Sequence, residues 1–222
     1  MWEQRTSTSP EVRTVWRAFA DEAADYTDEA SEHWGLSFIQ RVDGSYAAEL
    51  AGPRIESLPI RARAGEAYWG VELAAHVVIP GVDKAVLRGA IAELPVTDRR
   101  VSIGGRGYPI PTWEELEAFV ARLVADGVLV VDAAVRRALG GDDRGLSRRS
   151  WQRRFMSVTG LRRKEIERLD RSRRAYRLLS EGITPAQVAA AVGYADQAHL
   201  TRELRRIRGE TPARILAAAS TD

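Results

Sequence analysis

The sequence predicts an α+β chain in which a β-rich N-terminal domain is followed by an all-α C-terminal domain carrying two similar helical repeats joined by a long helix. Three observations predict it. The spacing of apolar residues changes from alternation to a helical period near residue 110, the charge changes sign along the chain, and a 14-residue helical segment recurs 49 residues later. A length of 222 residues allows one large domain or two of about 100 residues each. The change of period favours two, over residues 1–110 and 111–222.

In the N-terminal part, Pro10 follows Ser9 as a possible cap, and Val12, Val15, Trp16 and Phe19 fall at helical spacing. This predicts a short amphipathic helix as far as Ala24. From Glu32 to Ile79 the pattern alternates, through Trp34, Leu36 and Phe38, then Tyr46, Ala48 and Leu50, then Trp69, Val71 and Leu73. Asp43-Gly44, Gly52-Pro53, Ala64-Gly65 and Pro80-Gly81 punctuate these runs as turns, so a compact antiparallel sheet or barrel is expected. Asp83 to Leu94 reads as one more helix. Val101 to Pro111, rich in glycine and proline, reads as a connecting loop or a hairpin.

From Thr112 onward every signal is helical. Thr112 with Glu115 forms a capping-box pattern, and Leu116, Phe119, Val120 and Leu123 form one apolar face that ends near Gly127. Further helices are expected at Val131–Leu139, Arg148–Thr159, Lys164–Ser180, Pro185–Val192 and Gln197–Arg208, with a last one after Thr211-Pro212. Most of them stop at a glycine, the residue that most readily takes the left-handed conformation of a helix end.

Residues 1–143 hold 15 Arg/Lys against 23 Asp/Glu, whereas residues 144–214 hold 18 against 7. One third of the chain is therefore a polycation, and concentrated positive charge attracts polyanions by releasing their condensed counterions. Arginine outnumbers lysine 31 to 2 in the whole chain, so a single arginine says little and its placement decides. Cysteine is absent, which removes disulfides, thiolate zinc sites and cysteine nucleophiles. The three histidines, His33, His76 and His199, have no neighbours at ligand spacing, so no metal or other cofactor is expected, and His33 and His76 read as structural. Gly104-Gly105-Arg106-Gly107 lacks the spacing of a phosphate-binding loop, and no catalytic constellation stands out, so the chain is not read as an enzyme. No apolar run approaches the ~20 residues of a membrane span, and the chain is expected to be soluble and cytoplasmic, associated with the nucleoid.

Ser147 to Gly160 (SRRSWQRRFMSVTG) aligns with Asp196 to Gly209 (DQAHLTRELRRIRG). Ser147 and Asp196 match as caps, Trp151, Phe155 and Val158 match Leu200, Leu204 and Ile207 as a buried stripe, and Gly160 and Gly209 match as terminators. Each segment follows a short helix and a tight turn, which is a helix-turn-helix arrangement. At 100° per residue the face opposite the stripe holds Arg149 and Arg153, with Arg148, Gln152 and Met156 beside them. In the second repeat it holds Ala198, Thr201, Arg202 and Arg205, with Gln197 and His199 near the helix start. Arginine can read guanine and glutamine can read adenine, so these are candidate base-reading residues. The connecting helix, roughly 25 Å long, is of the order of the ~34 Å between successive major grooves on one face of DNA. Arg162, Arg163, Arg168, Arg171, Arg173, Arg174 and Arg177 lie on or beside it, some placed for phosphates and others for Glu165, Glu167 or Asp170.

Gly193 to Pro212 (GYADQAHLTRELRRIRGETP) closely resembles the signature that ends the AraC/XylS family of bacterial regulators, and LSRRSWQRRFMSVTG resembles the first recognition helix of that family. The resemblance covers Thr112 to Leu216, and the N-terminal part is similar to the short, cupin-like β-rich sensor region of some actinobacterial members. It implies binding to double-stranded promoter DNA, contact with RNA polymerase, and control by a small-molecule effector or by homodimerisation. Where several members of the family place an aromatic reader in the first repeat, this chain has Arg149, so their target sequence does not transfer. Trp34, Tyr46, Tyr68 and Trp69 could wall an effector pocket, although aromatics at alternating strand positions more often pack as core. The competing reading of the whole chain is a non-specific architectural DNA-binding protein without effector control.

Overall fold

In the computed structural model, which describes residues 1–82, 84–140 and 148–219, the chain opens with strands where the sequence predicts a helix. The elements are, in order, β1 (Trp2–Thr6), β2 (Val12–Phe19), β3 (Ala24–Asp28), β4 (Trp34–Gln40), β5 (Tyr46–Ala51), β6 (Leu58–Ala62), β7 (Ala67–Leu73), β8 (Val77–Val78), α1 (Lys84–Leu87), β9 (Ile91–Leu94), β10 (Val96–Thr97), β11 (Arg100–Ile103) and β12 (Arg106–Pro109). They continue through α2 (Leu116–Ala125), β13 (Val130–Val131), α3 (Ala133–Leu139), α4 (Arg148–Thr159), α5 (Arg163–Ser180), α6 (Pro185–Val192), α7 (Gln197–Arg208) and α8 (Pro212–Ala219). A β-rich N-terminal region thus precedes a helical C-terminal part, the architecture expected from the sequence.

Two compact units divide the chain. The first comprises Met1–Ala24, Glu32–Pro53 and Arg61–Arg162, and the second comprises Asp25–Ser31, Arg54–Ile60 and Arg163–Asp222. The units therefore part at residue 162, not at residue 110 where strands give way to helices. The reason is that the apolar face of α2 joins the same core as the sheet: Leu116, Phe119, Val120 and Leu123 cluster with Trp34, Phe38, Val71 and Leu73. Phe38 and Phe119 meet edge to face at 5.8 Å between ring centres. Glu117 of α2 is gripped by Arg5 at 2.6 Å and by the Ser7 hydroxyl.

The first unit is built on a six-stranded sheet in the order β1-β2-β7-β4-β5-β9, with every pair whose register is defined antiparallel. Its alternation is the one the sequence shows, since Trp34, Leu36 and Phe38 are all buried while Gly35, Ser37 and Ile39 are less so. Residues 12–19 are a strand of this sheet and not the expected helix. The register between β2 and β7 shifts between Val12 and Thr14. An extra residue there puts Val12 and Val15, three apart, on one buried face, so a bulged strand imitates the spacing of a helix. Residues 83–94 also differ from expectation. Only Lys84–Leu87 are helical among the described residues; Gly89, at φ +71°, turns the chain, and Ile91–Leu94 pair with β5. The segment expected as loop or hairpin is the hairpin β11–β12, turned by Gly104-Gly105 with both φ values positive.

The preceding hairpin, β10–β11, makes the same kind of two-residue turn with Asp98 and Arg99 at φ +48° and +58°. A side chain in this region costs about 1 kcal/mol that glycine would avoid. Elsewhere α2 begins at Leu116 and not at Thr112, because Glu115 accepts the Thr112 backbone N–H at 2.9 Å and caps a turn. Val130–Val131, expected at the edge of a helix, pair with β8, and α3 starts only after Asp132.

In the second unit, Ala175 and Leu179 of α5, Val188 and Ala189 of α6, Leu200 and Leu204 of α7 and Ile215 of α8 form one core. Segments 25–31 and 54–60 belong to this unit, not to the sheet. Ala30 N–H donates to the Ile207 carbonyl at 2.8 Å and Ser57 N–H to the Arg206 carbonyl at 2.8 Å, satisfying acceptors that a helix end leaves open. Glu29 pairs with Arg208, whose guanidinium lies 3.7 Å from the centre of the Tyr176 ring, and Glu56 lies 3.7 Å from Arg206. The C-terminal end of α7 is thus completed by residues more than a hundred positions upstream. Residues 111–222 expressed alone are expected to melt at a lower temperature than the same segment in the full chain, read by hydrogen exchange of α7 amides. Equal protection in both would show that segments 25–31 and 54–60 are dispensable.

Candidate nucleic-acid interface

The second repeat starts from a local sequence that leaves the chain few choices. Pro185 at the first position of α6 sets φ, and the Gln187 side chain accepts from the Thr184 N–H at 3.3 Å and hydroxyl at 2.6 Å. Gly193, at φ +80°, ends α6, and Asp196 restarts the helix by accepting the His199 N–H at 2.6 Å. Within α7 the stripe Leu200, Leu204 and Ile207 is buried. Gln197, Ala198, Arg202 and Arg205 are exposed, and His199 and Thr201 are half-buried beside them. Ala198, Thr201, Arg202 and Arg205 are the residues that the helical wheel assigns to the outer face, and Gln197 and His199 stand near the helix start.

His199 is held in place by two neighbours. Its Nδ1 accepts from Ala195 N–H at 3.4 Å, and its ring stands edge-on to Tyr194 at 5.2 Å. In the neutral ring the proton is then on Nε2, a donor. The Thr201 hydroxyl donates back to the Gln197 carbonyl at 2.9 Å, which leaves its lone pairs to accept. Tyr194 was not among the residues singled out from sequence; its only signal is a tyrosine directly after the glycine that ends α6.

The first repeat lies in the first compact unit. Trp151, Phe155 and Val158 of α4 are buried, with the two rings 5.7 Å apart, and Arg149, Gln152 and Arg153 are exposed. Gly160 ends the repeat at φ +75°, as Gly209 ends the other at +74°. The proposed cap Ser147 and the turn before it lie outside the described residues, as does the side chain of Arg148. Asp132 joins the two helices of this repeat. Its carboxylate caps α3 by accepting from Ala134 and Val135 N–H at 3.1 and 3.0 Å, and it pairs with Arg154 of α4 at 3.0 Å. Burial alone would raise its pKa, but the Val135 N–H and the Arg154 guanidinium outweigh it and hold the carboxyl below its ordinary value.

The arginines around the long helix α5 divide by partner. Arg163 pairs with Glu167 at 3.2 Å and Arg173 with Asp170 at 2.6 Å, both within the helix. Arg168 makes a two-pronged bond to Glu203 of α7 at 2.8 and 2.9 Å, a partner 35 residues away that no helical spacing could reveal. Arg171 lies over the Tyr194 ring at 5.7 Å. Arg174 and Arg177 are exposed and have no carboxylate partner among the described residues. The charge available to an external anion is therefore smaller than the count of arginines, and it includes Arg149, Arg153, Arg202 and Arg205.

Residues 142–218 match the family model of a helix-turn-helix domain. No curated protein matches the sequence. Among solved structures the chain is similar to ToxT from Vibrio cholerae. A structure at 1.65 Å resolution is 8% identical, covering 97% of this chain and 98% of that one with a TM-score of 0.42. A ToxT structure from strain O395 is 10% identical over 100% and 99%, with a TM-score of 0.42. A third, bound to (E)-4-(8-methylnaphthalen-1-yl)but-3-enoic acid, is 9% identical over 98% and 99%, with a TM-score of 0.40.

The aromatic candidates in the β-rich region separate. Tyr46, Tyr68 and Trp69 line one cleft of about 470 Å³, whereas Trp34 is wholly buried in the core and takes no part in lining it. Trp69 is nine-tenths buried as well, its indole N–H donating to the Pro111 carbonyl at 2.8 Å, so it is both core and wall. His33 stands between the Leu73 carbonyl at 3.0 Å and Glu32 at 3.2 Å. His76 is buried, and that burial, with Arg136 nearby, lowers its pKa and favours the neutral ring. The described residues hold no cluster of ligands suited to a metal ion, and none of their helices is long and apolar enough to cross a membrane.

Asp132→Asn is expected to destabilise the protein by about 1 kcal/mol at pH 7, through a weakened cap and a lost ion pair. Because the folded-state pKa is lowered, the wild-type carboxylate contributes fully above its unfolded value near 4 and loses the contribution as pH falls through the folded value. Chemical denaturation of both proteins should therefore converge at acid pH. A constant gap from pH 7 to pH 2 would refute the ionic part of this account.

Proposed function

We propose that this chain is a sequence-specific, double-stranded DNA-binding transcription regulator, in which α4 and α7 enter adjacent major grooves of a promoter. Residues 111–222 are the DNA-binding part in this reading, and residues 1–110 are a regulatory part that responds to a small ligand. The observation that carries the proposal is the repeated pairing of a buried triad with an exposed arginine on the opposite face. Trp151, Phe155 and Val158 stand against Arg153, and Leu200, Leu204 and Ile207 stand against Arg202. A solvated surface has no reason to place arginine twice at the same position of a duplicated helix-turn-helix.

The base-reading set in this proposal is Arg149, Gln152, Arg153, Gln197, Ala198, His199, Thr201, Arg202 and Arg205. Arginine and glutamine make paired hydrogen bonds to guanine and adenine edges, Ala198 and the Thr201 methyl suit a thymine methyl, and His199 offers its Nε2 donor. Arg174 and Arg177 of α5 are assigned to phosphates, where they set register and carry no sequence information. At 1.5 Å per residue, the 18 residues of α5 span about 27 Å, a length compatible with two grooves about 34 Å apart. Occupied promoters then act through RNA polymerase.

Arg153→Ala and Arg202→Ala are each expected to weaken binding to the cognate site by about 1–3 kcal/mol more than binding to random duplex. The cognate site is obtained by selecting genomic fragments with purified protein and footprinting them, and protection should cover two adjacent major grooves. Equal losses on both DNAs, or the failure of any site to enrich, would favour a non-specific architectural binder, whose affinity falls steeply with salt and scarcely depends on sequence.

A further inference from the structure

The six-stranded sheet of the first unit is open, and its two edges are unlike. At one edge β9 is four residues long and runs directly into Pro95, which has no N–H to offer a further strand. At the other edge β1 (WEQRT) holds no proline, glycine or lysine, and its register with β2 is unbroken from Trp2 to Thr6. Edge strands are ordinarily blunted by such residues or by a bulge of their own, and here the bulge is one strand in, on β2.

Alternate residues of β1 serve β2. Met1 exchanges both backbone hydrogen bonds with Phe19, at 2.8 and 2.9 Å, and the Ser7 N–H donates to the Arg13 carbonyl at 3.3 Å. Odd-numbered residues therefore bond to β2. The N–H and C=O groups of Trp2, Gln4 and Thr6 point to the free side, where the described residues give them no partner. The side chains of these three share one face, and Trp2 is 57% exposed although it stacks on Trp16 at 5.4 Å. Glu3 and Arg5 occupy the other face, with Glu3 2.6 Å from Arg17 and Arg5 2.6 Å from Glu117 of α2.

We propose that β1 pairs antiparallel with β1 of a second copy of this chain, in the register that sets Gln4 against Gln4, so that the two sheets become one continuous sheet. Each outward N–H and C=O of Trp2, Gln4 and Thr6 then finds a partner, and Trp2 lies opposite Thr6 of the second copy. The charges choose this register. Glu3 stands opposite Arg5 of the second copy and Arg5 opposite its Glu3, at the positions of an antiparallel pair where side chains approach most closely. Glu117 and Arg5, followed by Glu3 and Arg17 of the second copy, form a row of alternating sign. The neighbouring registers that keep Trp2, Gln4 and Thr6 facing the partner set Glu3 against Glu3 or Arg5 against Arg5, and like charges directly opposite are unfavourable. This self-complementary charge is what favours a second copy over a foreign strand. The inference does not depend on the promoter-binding reading.

The test is sedimentation velocity of the full chain, without DNA, from about 1 to 200 µM. A monomer–dimer equilibrium is expected, with dimer predominant at the upper end. Gln4→Pro should shift it at least about tenfold toward monomer while the melting temperature stays level, because the Gln4 N–H bonds nothing within the chain and proline is tolerated at a sheet edge. Glu3→Arg and Arg5→Glu each set like charges opposite one another and should also lose dimer. An equimolar mixture of those two variants should regain it, since every crossed pair is then opposite in sign. A dimer undiminished in Gln4→Pro, a mixture no more associated than either charge variant alone, or a wild-type chain that stays monomeric at about 200 µM would each overturn the proposal. Gln4→Pro changes no charge, so it decides the question even where a charge variant fails to fold.

Discussion

A helix that buries residues at i, i+4 and i+7 has no freedom left in what it shows to solvent. In α7 the buried positions are Leu200, Leu204 and Ile207, packed in the second unit, and in α4 they are Trp151, Phe155 and Val158, packed in the first. Each of these apolar side chains contributes roughly 1.5–3 kcal/mol when removed from water, far more than an exposed arginine gains from any one orientation. Burial therefore decides the rotation of both helices, and the outward positions of Arg153 and Arg202 follow from it. The outward arginines are a by-product of the core.

Electrostatics then selects among the exposed and half-exposed cations. A polycationic segment suggests a uniform field, but Arg154, Arg163, Arg168, Arg173 and Arg208 are each tied to a carboxylate. The ties differ in what they do. Arg168–Glu203 fastens the long helix α5 to α7, and Arg208–Glu29 fastens the end of α7 to an upstream segment, while the pairs within α5 are surface contacts of small energetic weight. Among the described residues, Arg149, Arg153, Arg202 and Arg205 on the outward faces of the repeats and Arg174 and Arg177 on α5 have no carboxylate partner.

Legibility followed the range of the interaction. The helices at 148–159, 185–192 and 197–208 were predicted to the residue, because their signals are local: Pro185, Asp196, and glycines that end a helix by taking positive φ. Alternation in Trp34–Phe38 and Trp69–Leu73 was equally plain, since one sheet face is buried. The strand at 12–19 carries a helical spacing because its bulge puts Val12 and Val15 on one face at a helical interval. The helix expected over residues 83–94 failed on Gly89, and strand β13 was too short to show any period. Of the four aromatics offered as a pocket, Trp34 went to the core, since alternation marks a buried face without saying which part of it is hollow.

By itself the sequence determined the two repeats, the Asp196 cap and the glycine terminators, the face that α4 and α7 each bury, and the sign of the charge on the segment that carries them. All of these depend on residues within a turn or two of one another, so spacing suffices. Only the tertiary structure decided which arginines remain available and that segments 25–31 and 54–60 complete the far end of α7. Several of those outcomes join residues far apart in the chain, 35 positions in Arg168–Glu203 and 179 in Glu29–Arg208, and no local pattern encodes a partner at that distance.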